Sequence, residues 1–282
     1  MERTDDIKQY LKNKHQGGKN NQKGGLFEDF YAIYQIILCI AKYKASFNYV
    51  KFQTQLENAF VDDMLIVYPE KNVYHQLKNV KSLSWGRVDK VGDIAFDFAY
   101  QIEDCKDKKE TFFLKLVYSH NESKIQENIP AEIKEYTLTE YFDYTMDINS
   151  LVLLSSSFKQ ALREIAPSGD KTPTDELANI AFTFLGVWKG CDTNKGISLA
   201  EIIRRVENIK YVNLRIYPDQ EMSEKCKSIL DAIKELEYHI SGKMFYWRIG
   251  CMSGNCPWSD EIQVEVTSQH PTDQWKLMSI LS

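Results

Sequence analysis

Residues 61–80 read VDDMLIVYPEKNVYHQLKNV, and this stretch narrows the possible folds more than any other. Two runs rich in branched and aromatic residues flank the charged turn PEKN, a pattern that predicts a hairpin with strands near 61–68 and 73–80. Its polar residues fall at particular places. Asp62 and Asp63 lead into the first strand, and Gln76 and Lys78 stand near the end of the second. Side chains alternate along a strand, so residues 76 and 78 share a face while His75 and Leu77 take the other. In an antiparallel pair the start of one strand lies beside the end of the next. Asp63, Gln76 and Lys78 are therefore expected to converge at one end of a small sheet. Before the hairpin, LFEDFYAIYQIILCIAKYK predicts a helix over 26–44, with Phe27, Phe30, Ile33, Ile37 and Ile40 recurring at spacings of three and four. Glu28 opens that helix and joins the convergence if the helix packs over the sheet.

The pairs Gly17-Gly18 and Gly24-Gly25 are expected to break any helix in the polar segment 1–25. RVDKVGDIAFDFAYQIEDC predicts a helix near 87–103, and TFFLKLVYS a short buried strand over 111–119. The acidic stretch 121–150 reads as partly helical, and LVLLSSS (151–157) fits a strand or a helix start equally. APSGDKTPTDE, 166–176, carries two prolines and a glycine and is the best linker candidate, dividing the chain into 1–165 and 166–282. Beyond it, ELANIAFTFLGVW, ISLAEIIRRVENI and EMSEKCKSILDAIKELEYHI predict helices. KMFYWRIGC and DEIQVEVTS predict a closing hairpin, an order compatible with a winged-helix-like module. The expected fold class is α/β, a mixed sheet flanked by helices, plus a smaller, mainly helical C-terminal domain with a terminal hairpin.

With 282 residues, 43% of them hydrophobic, the chain can build a sizeable core, which excludes collagen-like and wholly disordered classes. Six scattered cysteines suit free thiols in a reducing compartment. No apolar run approaches the roughly 18 residues of a membrane span, and the charged N-terminus MERTDDIKQY is unlike a signal peptide. The expectation is a cytoplasmic protein that does not engage a membrane. A net charge of −5 argues on its face against binding polyanions, but it is unevenly spread. Residues 1–25 carry six basic against three acidic side chains, and residues 76–90 carry four against one. Residues 121–150 carry two against seven.

Acids beside an amide and a lysine suit phosphodiester hydrolysis with a hard divalent cation. Such an ion takes oxygen ligands from one or two carboxylates and the substrate phosphate, and a lysine can hold phosphate and offset developing charge. The pattern Glu28 … Asp62-Asp63 … Gln76-x-Lys78 resembles the PD-(D/E)xK nuclease superfamily in its Q-x-K variant, as in Mrr-like restriction enzymes. Gly24-Gly25, LFEDF, VDDMLIV, YHQLKNVKS and Trp85 are similar to pieces of the double-stranded-DNA endonuclease domains of anti-phage effectors, such as those of CBASS and Lamassu systems. The likeness covers about residues 17–120. It implies a restriction-endonuclease-like fold, Asp63, Gln76 and Lys78 as catalytic and metal residues, and Glu28, with Asp62, as further ligands. It also implies Mg²⁺ (or Mn²⁺) as cofactor, and double-stranded DNA as substrate. The defence setting implies a homo-oligomer or a subunit of a defence complex.

Lys19, Lys23, Lys81, Ser82 and Trp85 are candidate DNA contacts, although the last three also suit a plain strand end. Each acid has an ordinary reading too: Glu28 as a favourable charge in a first helical turn, Asp62-Asp63 as a turn before a strand. His75 is expected to be packed. GGKNNQKGG lacks the spacing of a phosphate loop, and Cys251-x4-Cys256 has no second pair to complete a zinc site. Phe245, Tyr246, Trp247 and Trp258 suit a core or partner surface better than a base-stacking platform. A sequence-specific restriction enzyme, an RNA-specific nuclease and a non-catalytic nuclease-like scaffold remain as alternative readings.

Overall fold

A computed structural model describes residues 8–11, 13, 22–43, 47–120, 124–209, 214–216 and 220–281. Helix α1 (Gln22–Lys42) runs through Gly24 and Gly25, so that glycine pair does not break it. Each glycine costs about 1 kcal/mol in a helix, but the turns that follow bury Phe27, Phe30, Tyr31, Ile33, Ile36, Ile37 and Ile40, and that burial carries the first turn along. Glu28 therefore lies beyond the first turn, where no acid is found, and a helix-dipole role does not account for it. Gly17, Gly18 and Lys19 lie outside the described residues.

After α1 come β1 (Lys51–Thr54), β2 (Met64–Val67) and β3 (Asn72–Lys78), paired antiparallel as β1–β2 and β2–β3. The hairpin expected from sequence is present, with Met64 opposite His75 and Val67 opposite Asn72. Helix α2 (Ile94–Asp107) then crosses over to β4 (Phe112–Tyr118), which runs parallel to β3. The helix starts later than residue 87 because Gly86 and Gly92 take left-handed φ of 68° and 93°, keeping 86–93 in turns up to Asp93, which stands at the N-cap position without a side-chain capping bond. In the acidic stretch, α3 (Lys124–Glu127) is followed by β5 (Thr137–Tyr141), a strand the sequence reading missed, parallel to β4. LVLLSSS resolves into two helices, α4 (Ile148–Leu154) and α5 (Ser156–Ile165). Next come α6 (Thr174–Lys189), the two-residue β6 (Ile197–Ser198) and α7 (Leu199–Glu207), with β6 antiparallel to β1.

The resulting six-stranded mixed sheet has the order β5-β4-β3-β2-β1-β6 and is flanked by helices. Five consecutive residues of β3, Val73–Leu77, are buried, as expected of a strand covered on both faces. On one face the His75 ring lies 5.8 Å from that of Tyr31 on α1. On the other, Tyr74, Leu114 and Leu116 pack with Phe98, Ile102 and Cys105 of α2. Tyr31 and Lys115 both donate to Glu140 Oε2 at 2.8 Å, fastening α1, β4 and the edge strand β5 together.

Backbone contacts divide the chain into two units, Met1–Leu162 with Pro173–Val212, and Arg163–Thr172 with Asn213–Ser282. In the second unit α8 (Glu224–Asp231) is shorter than the helix expected there, because Glu235 takes a left-handed φ of 62° and LEYHIS becomes β7 (Leu236–Ser241). β7, β8 (Met244–Ile249) and β9 (Met252–Pro257) form an antiparallel sheet in that order. DEIQVEVTS is not a hairpin strand but helix α9 (Asp260–Gln269), capped by Ser259, whose side chain accepts from Ile262 N. Its I-x-V-x-V alternation misleads, since Val266 is buried while Val264 is 65% exposed. Helix α10 (Gln274–Leu281) follows, so the hairpin is not terminal; α6, α7 and α8 do precede the strands in chain order, but α6 and α7 belong to the first unit. Among the described residues, no helix is long and apolar enough to cross a membrane.

Candidate active site

The hairpin register brings the polar residues of 61–80 together. Met64 opposes His75, so Asp63, the next residue back, sits beside Gln76. Its Oδ2 accepts hydrogen bonds from the Gln76 side-chain Nε2 and from the backbone N of Leu77, the latter at 2.7 Å. The carboxylate is thus oriented by the strand that carries the lysine. Gln76 and Lys78 lie on the α2 side of the sheet, since they follow Tyr74 by two and four residues. Gln76 is 1% exposed and Lys78 half-buried.

Glu28 reaches this group from α1. Its Oε2 accepts from Gln55 Nε2 at 3.3 Å. Burial, then the charges of Asp63 and Asp29, push its pKa up to about 8, against a smaller opposing pull from Lys78. Glu28 therefore lies within Coulombic reach of both Asp63 and Lys78. Asp62 is almost wholly buried and is a weaker contributor to the same effect. Crowded carboxylates with one lysine form a negative site that a proton neutralises when no cation does. Among the described residues, no three His, Cys, Asp or Glu side chains are grouped so as to hold a metal ion. A cation here would draw on two carboxylates, Glu28 and Asp63, on amide oxygens, and on the substrate. The donor set is all oxygen, which fits Mg²⁺ or Mn²⁺ and does not fit zinc.

His75 is fully buried, and burial with Lys115 nearby pushes its pKa down to about 3, so it is a neutral core residue, as expected. Trp85 corrects the sequence reading. It is 4% exposed, its Nε1 donates to Ile125 O at 2.8 Å, and it holds the loop after β3 against α3 instead of facing a ligand. Lys81 and Ser82 are exposed just beyond β3. Of Lys23, only the helical backbone is described. The basic stretch 76–90 is partly neutralised by its own loop, with Arg87 on Asp89 at 2.6 Å and Lys90 on Asp93 at 3.6 Å. Phe245 and Trp258 stack at 4.8 Å inside the second unit. Tyr246 stacks on His239 at 4.9 Å on the other face of that sheet, where both line a cavity of about 1010 Å³. Cys251 is exposed and Cys256 buried, both as free thiols.

Two residues the sequence reading passed over also shape the site. Gln55 is the hydrogen-bond donor to Glu28. Asp29, next to Glu28, binds Lys189 at 2.7 Å and Trp188 Nε1 at 3.1 Å, fixing α1 to α6. Gln55 lies in no motif, and Asp29 lies within LFEDF, where the only available signal was a second acid beside Glu28. Comparison with family models, with curated proteins and with solved structures finds no match.

Proposed function

We propose that the first unit is a metal-dependent nuclease that hydrolyses phosphodiester bonds of double-stranded DNA, of the restriction-endonuclease-like kind. The observation that carries the reading is the Asp63 carboxylate, held by Gln76 and the Leu77 amide in electrostatic reach of Glu28 and Lys78. The mixed sheet flanked by helices, with an antiparallel β1–β2–β3 meander and a parallel β4, supports it.

Glu28 and Asp63 would hold the cation, and Gln76 keeps Asp63 in place. When bound, Mg²⁺ polarises the scissile phosphate and acidifies a water molecule. Lys78 supplies the positive charge that steadies the phosphate oxygens as negative charge builds on them. Lys81 and Ser82, exposed at the same strand end, are suited to contact the backbone of the duplex. The resemblance of residues 17–120 to anti-phage effector nucleases further supports a role in prokaryotic defence, in the cytoplasm, within an oligomer or complex.

The test is cleavage of supercoiled plasmid with Mg²⁺, set against EDTA. Wild type should nick or linearise the plasmid, and Asp63→Ala and Lys78→Ala should each slow it by about 100-fold or more. Normal cleavage by both variants would refute the assignment, as would a wild type inert on duplex DNA. Parallel assays on single strands and RNA separate the nucleic-acid classes.

A further inference from the structure

Gln55 follows β1 and has a left-handed φ of 51°, a conformation that side chains with a Cβ avoid. The backbone there is clamped to the two acids preceding β2. Gln55 N donates to Asp63 O at 3.3 Å, and Leu56 N to Asp62 O at 2.9 Å. The bend aims the Gln55 side chain at α1, where Nε2 donates to Glu28 Oε2. With the amide nitrogen on Glu28, the amide oxygen is turned away from that hydrogen bond. That oxygen, Oε1, is buried and has no hydrogen-bond partner. Buried acceptors left unsatisfied are uncommon and call for a reason.

The neighbours supply one. The charges of Asp63, Asp29 and Asp62 already bear on Glu28, with Lys78 the opposing cation. One more buried oxygen there worsens the balance for an empty site and improves it for a hard cation, which takes amide oxygens as readily as carboxylates. We propose that Gln55 belongs to the divalent-cation site of the nuclease, its amide oxygen serving as a neutral oxygen donor while its amide nitrogen holds Glu28 in place. This rests on the nuclease reading above, and it explains why a strained backbone is kept at a residue outside the Glu28, Asp63, Gln76, Lys78 set.

The experiment measures cation binding without DNA, by calorimetry with Mn²⁺ and by the shift in melting temperature with Mg²⁺, on the full chain. Gln55→Leu should weaken cation binding by roughly tenfold or more, and Gln55→Glu, which restores an oxygen and adds charge, should bind at least as tightly as wild type. Gln55→Gly relieves the backbone and removes the amide. It should be no less stable than wild type without cation, yet show the same weakened binding. Lys78→Ala should lose cleavage and keep cation binding. If wild type binds Mn²⁺ and all three Gln55 variants bind it equally well, the role assigned to Gln55 is wrong while the nuclease reading stands. If wild type binds neither ion, the cation site itself is refuted, and Gln55 with it. Circular dichroism of each variant shows whether a loss reflects the site or the fold; should Gln55→Leu unfold, the Glu and Gly variants decide.

Discussion

His75 and Gln76 are neighbours on one strand with opposite fates, because alternation sends one into the layer under α1 and the other to the side that carries Lys78. A neutral buried histidine has a measurable consequence. Its pKa is about 3 in the fold against an ordinary 6.5, so below pH 6.5 the unfolded chain takes up a proton that the folded one refuses. The stability His75 contributes is therefore complete above pH 6.5 and declines as the pH falls toward 3, by about 2 kcal/mol between pH 6.5 and 5. Urea denaturation at pH 5.0 and 7.5 should show wild type losing that much more stability on acidification than His75→Phe. Equal losses would mean that the ring is not shielded. This residue-scale contrast was legible in the sequence, since a strand's period of two is a local property. The buried position of Trp85 was not legible, because an aromatic after a strand looks the same whether it packs inward or faces solvent.

At the scale of elements, the loop between β3 and α2 is as constrained as the strand and helix it joins. Gly86 has a φ of 68°, and a Cβ there would come within 2.3 Å of Asp93 Cγ. Asp93 in turn accepts from Arg87 N at 2.9 Å, just before α2 begins. Gly86→Ala should destabilise the chain by about 1–3 kcal/mol, read from the urea midpoint, and should leave cleavage per folded molecule nearly unchanged. The elements misread from sequence share one cause. β5, β7 and α9 are short segments whose local pattern suits another state, and they follow their tertiary neighbours instead. Thr137–Tyr141 is a strand because β4 offers an edge, and Leu236–Ile240 pairs with Phe245–Ile249 once Glu235 has turned the chain. DEIQVEVTS takes the helical form with the help of the Ser259 cap and the burial of Val266 against the second core.

At the scale of the whole molecule, the first unit completes itself with residues well past the segment that resembles a linker. Thr54 Oγ1 and Thr193 Oγ1 lie 2.6 Å apart, Leu199 N donates to Val50 O at 2.8 Å, and Asp29 is held by Trp188 and Lys189. A fragment ending at residue 165 would lack α6, β6 and α7. It should fail to show a cooperative thermal transition, whereas a fragment ending at 212 should melt cooperatively. A cooperative transition for the shorter fragment would show that these later elements are dispensable. The net charge of −5 also reads differently at this scale. It results from an acidic block at 121–150 that masks two basic stretches, one of which partly pairs within its own loop.

What the sequence determined by itself is the material that acts over short range: the α1 periodicity, the apolar strands around PEKN, and the placement of Asp63, Gln76 and Lys78 at one hairpin end. A hairpin's register follows from alternation and turn length, both of which lie within a few residues. The tertiary structure decided whether Glu28 reaches those groups, that Gln55 bridges it to the Asp63 backbone, and that residues 173–212 complete the sheet. Those outcomes depend on surfaces far apart in the chain burying one another, and on a mixed sheet whose parallel strands need long connections. No local pattern of residues encodes them.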